Sequence, residues 1–337
     1  MPAQMPASFP AKVVRLTATG GPDVIAWADV DLPAPAAGEV LVQHTAVGLN
    51  MIDTYHRRGI YPLALPSGLG VEAAGKVVAV GESVGGGVID LAVGDRVASF
   101  GPGLGAYATA RIYKAADLFK LPDAISDHVA AAAILKGFTA EFLVERCACV
   151  QPGMTVLVHA AAGGVGLLLV QWLKHIGATV IGTVSTEAKA QVALAAGADH
   201  VINYSIDAVA PAVRELTGGV GVRVTFDGVG RDTWEASLDS TDTRGLIVSY
   251  GNASAPVTGV ALGLLAQKGS LFLTRPMLYA YYEDPEERAD GAARVWDLIA
   301  NGTLDVTVGQ TYPLAEVAQA HADLEARRTT GSTVLVV

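Results

Sequence analysis

A chain of 337 residues is long enough to bury two separate cores, and a composition of 51% hydrophobic and 17% charged residues excludes a disordered protein. A net charge of −10 and a sequence pI near 5.1 set the average surface against nucleic acid and anionic membranes, leaving only a local basic cleft for such a ligand. Two cysteines, Cys147 and Cys149, are too few for a disulfide framework and read as free thiols on neighbouring strand positions, with a metal clip or redox pair as the lesser alternative. The opening residues lack the basic-then-apolar pattern of a leader, so a cytoplasmic protein is expected.

Residues 1–10 read as a loose, flexible tail. Short strands follow at residues 12–16, 39–47 and 75–81, and another starts from Gly94-Asp95-Arg96-Val97; frequent Gly and Pro between them predict a β-rich, barrel-like domain. Near Ser126 the pattern changes. Residues 126–140 are helical, with a Ser-Asp start and an alanine-rich body. The uncharged run 147–173 exceeds the roughly 20 residues of a membrane span. Gln151, Pro152, His159 and a glycine cluster interrupt it, and a buried strand, a tight turn and a buried helix fit it better. Strands at 155–159, 179–183, 200–203, 222–227, 246–250 and 270–274 are interleaved with helices at 164–176, 186–196 and 208–217. This alternation specifies crossover units and a parallel sheet covered on both faces. Beyond Arg275, helices at 285–301 and 314–326 precede a strand at 332–337, which is expected to return to the first domain.

The strongest local signal is Val156-Leu157-Val158-His159-Ala160-Ala161-Ala162-Gly163-Gly164-Val165-Gly166. An apolar strand enters a glycine turn and a helix follows at once. Glycines let a pyrophosphate approach the main chain, and the first helical turn offers unpaired N–H groups and the positive end of its dipole. Gly163 and Gly166 occupy the last two glycine positions of the dinucleotide fingerprint and Ala160 the first. The same glycines would also serve tight helix–strand packing. At the tip of the next strand, Ile181-Gly182-Thr183-Val184-Ser185-Thr186, no Asp or Glu stands where a ribose 2′-hydroxyl would need one. Ser185, Lys189 and Tyr204 instead make a socket for a 2′-phosphate, which predicts NADPH. Lys189 also reads as an ordinary solvated helix lysine, and Glu187 lies near the same tip.

Several stretches together carry a wider resemblance. They are Gly48-Leu49-Asn50-Met51-Ile52-Asp53-Thr54-Tyr55, Pro66-Ser67-Gly68-Leu69-Gly70-Val71-Glu72-Ala73-Ala74-Gly75, Leu135-Lys136-Gly137-Phe138-Thr139, the AAAGGVG loop, Val229-Gly230-Arg231-Asp232-Thr233-Trp234 and Gln267-Lys268-Gly269-Ser270. After its first ten residues the chain closely resembles the zeta-crystallin-like NADPH:quinone oxidoreductases, a zinc-free branch of the medium-chain dehydrogenase/reductase superfamily. The resemblance implies an α/β protein with a GroES-like β-barrel catalytic domain (11–134), a Rossmann NADPH-binding domain with a doubly wound parallel sheet (135–274) and a return segment completing the catalytic domain (275–337). It also implies an active site in the cleft between the domains and a homodimer paired through the Rossmann edge strand near residues 270–274. Carried over by motif, Asn50 would sit by the nicotinamide ribose. Thr139, Gly164, Val165, Ser185, Lys189, Tyr204, Val229, Gly251, Asn252, Ala253, Ser254 and Arg327 would line NADPH, with Tyr250 where an aromatic is expected. The doublet Arg327-Arg328 leaves the register of the tail arginine open by one residue.

Zinc-dependent relatives carry a cysteine where Asn50 stands and a histidine where Val71 stands. An amide and a valine cannot build a tight tetrahedral site, so no metal is expected. His44, His56 and His159 are scattered and read as surface or hydrogen-bonded residues. Without a Lewis acid the acceptor must already be electrophilic. The expected reaction is therefore hydride transfer from nicotinamide C4 to a quinone, with the Asn50 amide and the Tyr55 hydroxyl as oxyanion donors and Tyr55 and Tyr61 as stacking surfaces. Reduction of α,β-unsaturated aldehydes or ketones (enones) is the alternative enzyme. A protein of another class, binding RNA or serving as a structural crystallin, is opposed by the acidic balance and the lack of a basic-aromatic stripe. Glu72 and Asp227 read as structural carboxylates, the first orienting a loop through backbone N–H bonds and the second capping a turn.

Overall fold

The computed structural model describes residues 8–82, 84, 90–101 and 103–337. The chain divides into two compact units, Met1–Leu135 with Val306–Val337, and Lys136–Asp305.

In the first unit, the long strand Glu39–Leu49 is the hub of a seven-stranded, mostly antiparallel sheet. The order is Val308–Pro313, Ser332–Val336, Glu39–Leu49, Glu72–Val80, Arg96–Phe100, Leu118–Lys120, and Ala110–Lys114 pairs with Glu39–Leu49 as well. Ser8–Arg15 and Ala26–Pro33 form a separate antiparallel pair. Val14, Leu16, Val47, Leu49, Leu69, Tyr107 and Leu335 pack with Leu314 and Val317 into one core. Ser332–Val336 joins Glu39–Leu49 antiparallel, so the last strand does return to the first domain.

The second unit holds six parallel strands in the order His200–Asn203, Thr179–Val184, Thr155–Val158, Val222–Asp227, Thr241–Ser249, Phe272–Thr274. Counted from Thr155–Val158 this is the doubly wound order 3-2-1-4-5-6, in which ligands bind beyond the carboxyl ends where the order reverses. Thr155–Val158 and Thr179–Val184 are buried apart from their first residues, as strands covered on both faces must be. Leu157, Ile181, Ile202, Val213 and Val222 form one core cluster of this sheet. Trp234, Leu238, Ile247 and Leu271 form another.

Several sequence expectations need correction. Residues 1–7 of the predicted tail lie outside the described residues, but Ser8 to Pro10 are strand, with Ser8 opposite Pro33. The strand read from Gly94 begins at Arg96, because Gly94 is a turn residue with φ of 100°. Cys147 ends a π-helical turn, Phe142–Cys147, so the two cysteines do not sit on a strand; both are free. The second unit extends to Asp305 and does not stop at 274. The reason is packing. Phe138 stacks on Tyr282 with ring centroids 5.0 Å apart, Phe138 meets Trp296 edge-on, and buried Glu141 accepts from Arg294 Nη1 at 3.1 Å. These contacts bind the helix Pro285–Ala300 to the parallel-sheet unit, and the return segment starts only at Val306.

Candidate functional site

At the carboxyl end of the parallel sheet, Thr155–Val158 runs into Ala160, whose φ of 53° lies in the left-handed region that favours glycine. Counted back from Gly163 and Gly166 at the G-x-G-x-x-G spacing, the first fingerprint position falls on Ala161 and not on Ala160, which is the turn residue just before it. Ala161 N–H donates to Thr183 O (3.0 Å) and Gly163 N–H to Ala160 O (2.9 Å), which closes the turn. Gly163 is the N-cap of the helix Gly164–Ile176. A Cβ on Gly166 would stand 2.3 Å from Ala160 O, so only glycine lets the helix start this close to the loop. Gly163, Gly164 and Val165 are half-buried and line the first turn, where the orphan N–H groups point outward.

The neighbouring strands end beside this turn. Asn203 pairs with Val184, so Tyr204 and Ser185 emerge next to each other. Tyr204 N–H donates to Val184 O at 3.0 Å, and Ser205 Oγ to Ser185 O at 2.9 Å. Thr186 caps the helix Glu187–Ala195, accepting from Lys189 N, so Lys189 lies in the first turn on the same side of the sheet. Glu187 accepts from Gln191 Nε2 at 2.8 Å, a partner along its own helix.

The third side is framed by Asp227, which is buried at the end of Val222–Asp227. Its carboxylate accepts from Val229 N (2.8 Å), Gly230 N (2.9 Å), Thr233 Oγ1 and Ser237 Oγ (2.7 Å). Its backbone carbonyl accepts from Tyr250 N at 2.8 Å. Ser237 also meets His159 Nε2 (3.1 Å), whose Nδ1 meets Thr183 Oγ1 (2.9 Å). Ser237 gives its one proton to Asp227, so His159 carries its proton on Nε2 and accepts from Thr183. Burial keeps His159 below the usual histidine range despite nearby Asp227. The Tyr250 ring lies where a Cβ on Gly228 would be, 2.8 Å from its Cζ. Gly251 to Ser254 follow: Ala253 N–H donates to Gly228 O, and Ser254 N–H and Oγ both donate to Val229 O. Arg275 Nη1 donates to Ser249 O (2.8 Å) and Gly251 O (2.9 Å). Thr139 lies in the same unit, half-buried on the helix Asp127–Glu141. Arg327 belongs to the other unit, in a left-handed conformation (φ 59°) after the helix Val317–Glu325, and Arg328 is committed to Asp323.

In the first unit, Asn50 ends Glu39–Leu49 and caps the seven-residue helix Met51–Arg57. It is 6% exposed. Its Nδ2 donates to Glu72 Oε1 (2.7 Å), which fixes the carboxamide with nitrogen toward the carboxylate, and Glu72 Oε2 accepts from Leu135 N (2.8 Å). Gly48 makes room for Glu72, since a Cβ there would lie 2.0 Å from Oε1. Tyr55 is buried and meets half-buried Tyr61 edge-on at 5.4 Å, and His56 meets Tyr61 at 5.7 Å. His44 binds Ala108 O and Tyr113 Oη, each at 2.8 Å, and burial brings it down to about 4.

The structure thus groups Gly163 to Gly166, Ser185, Lys189, Tyr204, Val229 and Tyr250 to Ser254 around one sheet end, and Asn50, Tyr55 and Tyr61 in the other unit. The sequence reading missed Arg275 and His159 as loop anchors and gave Glu72 no link to Asn50. Asp227 does cap the turn after its strand, as its place before Gly-Val-Gly predicts, whereas nothing local in the sequence marks Arg275. For a zinc ion the donor set does not fit: Asn50 commits its amide nitrogen to Glu72, and Val71 is apolar. Among the described residues no group of three His, Cys, Asp or Glu is arranged to hold a metal. Among them, too, no helix is long and apolar enough to cross a membrane.

Two family profiles match. Residues 36–123 match the alcohol dehydrogenase GroES-like domain, and residues 164–284 match the zinc-binding dehydrogenase family. A quinone oxidoreductase of Pseudomonas aeruginosa is 49% identical over 97% of this chain and 99% of its own. A 2-haloacrylate reductase of a Burkholderia species is 45% identical over 94% and 96% respectively. The crystal structure of Escherichia coli quinone oxidoreductase complexed with NADPH superposes with a TM-score of 0.93 at 46% identity, covering 97% of this chain and all of that one. With its GroES-like and Rossmann units and near full-length identity to such enzymes, the chain belongs to the quinone oxidoreductase family of the medium-chain dehydrogenase/reductase superfamily and is an oxidoreductase.

Proposed function

We propose that the protein reduces quinones with NADPH by direct hydride transfer and without a metal. The observation that carries this reading is the sheet end where the Gly163–Gly166 turn and the carboxylate-free tip at Ser185, Lys189 and Tyr204 converge. Backbone N–H groups at the helix start suit a pyrophosphate, and a hydroxyl, an ammonium and a phenol suit a 2′-phosphate. Val229, Tyr250 and Gly251 to Ser254, braced by Asp227 and Arg275, form the opposite wall, and Thr139 of the same unit completes the proposed cofactor set. Bound NADPH supplies the hydride.

In the first unit, Asn50 is the proposed donor to the oxygen that gains charge. One amide proton is engaged by Glu72, which leaves the orientation of the other preset, so little reorganisation accompanies charge development. Half-buried Tyr61, braced edge-on by buried Tyr55, offers aromatic surface to a planar acceptor. A second reading, reduction of a carbon–carbon double bond conjugated to a carbonyl or carboxylate, is favoured by the 45% identity to 2-haloacrylate reductase. The same hydride geometry serves both. NADPH oxidation assayed against benzoquinones, naphthoquinones, enones and 2-haloacrylates, with product identification, tests the proposal. The quinones are expected to give the highest kcat/KM, and a higher value for the olefinic acids would move the assignment to the second reading.

A homodimer is also proposed. Phe272–Thr274 is an edge strand of the parallel sheet, with Phe272 61% exposed, which suits pairing with a second copy.

A further inference from the structure

A buried polar chain runs behind Asn50 in the first unit. Asp53 Oδ2 accepts from Asn50 N (2.9 Å) and from Tyr107 Oη (2.8 Å). Tyr107 Oη lies 3.0 Å from His321 Nε2, and His321 Nδ1 lies 2.9 Å from Arg57 Nη1. Arg57 Nη2 donates to both oxygens of Glu325, at 2.8 and 2.7 Å, and its Nε to Gly20 O. Asp53, Tyr107 and His321 are wholly buried and Arg57 is 1% exposed.

Proton accounting fixes every link. A guanidinium only donates, so His321 Nδ1 must accept and the ring proton sits on Nε2. That proton goes to the Tyr107 oxygen, and the one phenolic proton is left for Asp53. The ring is a neutral linker with one defined tautomer. Burial, with Arg57 adjacent, holds it at about 3, and burial beside Asp53 keeps the Tyr107 proton in place well above the usual phenol range. The chain begins and ends on the same helix: Asp53 is in its first turn and Arg57 is its last residue. A seven-residue helix is too short to hold its shape unaided. Two side chains from elsewhere, Tyr107 and His321, clasp its two ends together.

We infer that His321, on the C-terminal helix Val317–Glu325, is a positioning residue for the acceptor site, acting through Tyr107 and Asp53 on Asn50 and on the helix that carries Tyr55. The effect on turnover rests on the reading of Asn50 and Tyr55 given above; the clasp itself does not. Replacing the imidazole by an aliphatic group would break both links at once. A glutamine retains an oxygen to accept from Arg57 and an N–H to donate to Tyr107.

The experiment compares the full-length parent with His321→Leu, His321→Gln and the near-isosteric Tyr107→Phe. It measures hydrogen–deuterium exchange over residues 50–57, steady-state kinetics with a benzoquinone, and direct NADPH binding. In His321→Leu and Tyr107→Phe, exchange over 50–57 is expected to be about tenfold faster and kcat with the quinone about tenfold lower, the size expected for leaving buried partners unsatisfied. NADPH affinity should stay within about twofold, and His321→Gln should recover most of both losses. Unchanged exchange in Tyr107→Phe, or glutamine no better than leucine, would overturn the clasp, and so would faster exchange with full turnover. Asn50→Ala, run in parallel, separates the two claims: full turnover there removes Asn50 from the proposed site, while the exchange result still decides the clasp.

Discussion

Single residues set the chemistry that the sheet end can hold. Lys189 lies one turn from Ser185 at a strand tip where the residue pairing brings Tyr204 alongside. Lys189→Ala is expected to weaken NADPH binding by about tenfold or more, the size of a lost charge-assisted hydrogen bond, while leaving NADH binding within about twofold. Isothermal titration with both dinucleotides checks this, and equal losses would remove the 2′-phosphate role. Glu187, which lies close enough to trouble that reading, is turned along its helix toward Gln191. Ala160, just before the glycine fingerprint, tolerates φ of 53° despite its Cβ because the turn around it is held by hydrogen bonds at 2.9 and 3.0 Å.

At the scale of elements, legibility followed length and burial. The helix Gly164–Ile176 was readable because Gly163 and Gly177 bracket an apolar run, and Gly177 does cap it at φ of 92°. Its close start against the loop depends on Gly166. Gly166→Ala places a methyl 2.3 Å from a backbone oxygen. It is expected to lower stability by about 1–3 kcal/mol and to weaken NADPH binding, as read by thermal unfolding and titration. The helix Met51–Arg57 was not readable, because seven residues give no period, although Asn50 followed by Asp53 is a capping pair. Ala26–Pro33 was missed although a period-2 signal was present: half-buried Val30 and Leu32, packed against Leu41 and Ala79, alternate with exposed Asp29 and Asp31.

Across the whole molecule, buried histidines make stability depend on pH. His44 is held near 4 and His321 near 3, against an ordinary value of 6.5, and in both burial is the leading cause. As pH falls below about 6.5 the unfolded chain binds protons at these sites and the native chain does not. Stability is therefore expected to be full above that pH and to drop toward pH 4, by up to about 1.4 kcal/mol per pH unit for each fully titrating histidine. Urea unfolding at pH 7.5, 5.5 and 4.5 tests it, and His44→Gln should flatten the slope; a midpoint that does not move would contradict it. For assembly, Phe272→Lys on the exposed edge strand is expected to convert the proposed dimer to monomers in light scattering; an equal mass for parent and variant would argue against this interface.

Periodicity and turn chemistry in the sequence determined the alternation of strand and helix, the parallel sheet, the dinucleotide turn and the carboxylate-free tip, because each is written in residues close together along the chain. Only the tertiary structure decided what stands behind Asn50 and where the second unit ends. Tyr107 meets Asp53 from 54 residues away and His321 meets Arg57 from 264. Phe138 likewise meets Trp296 across a long stretch of chain. Such partners are chosen by burial, where an unpaired polar group or an unfilled space is costly, and no local pattern records that choice.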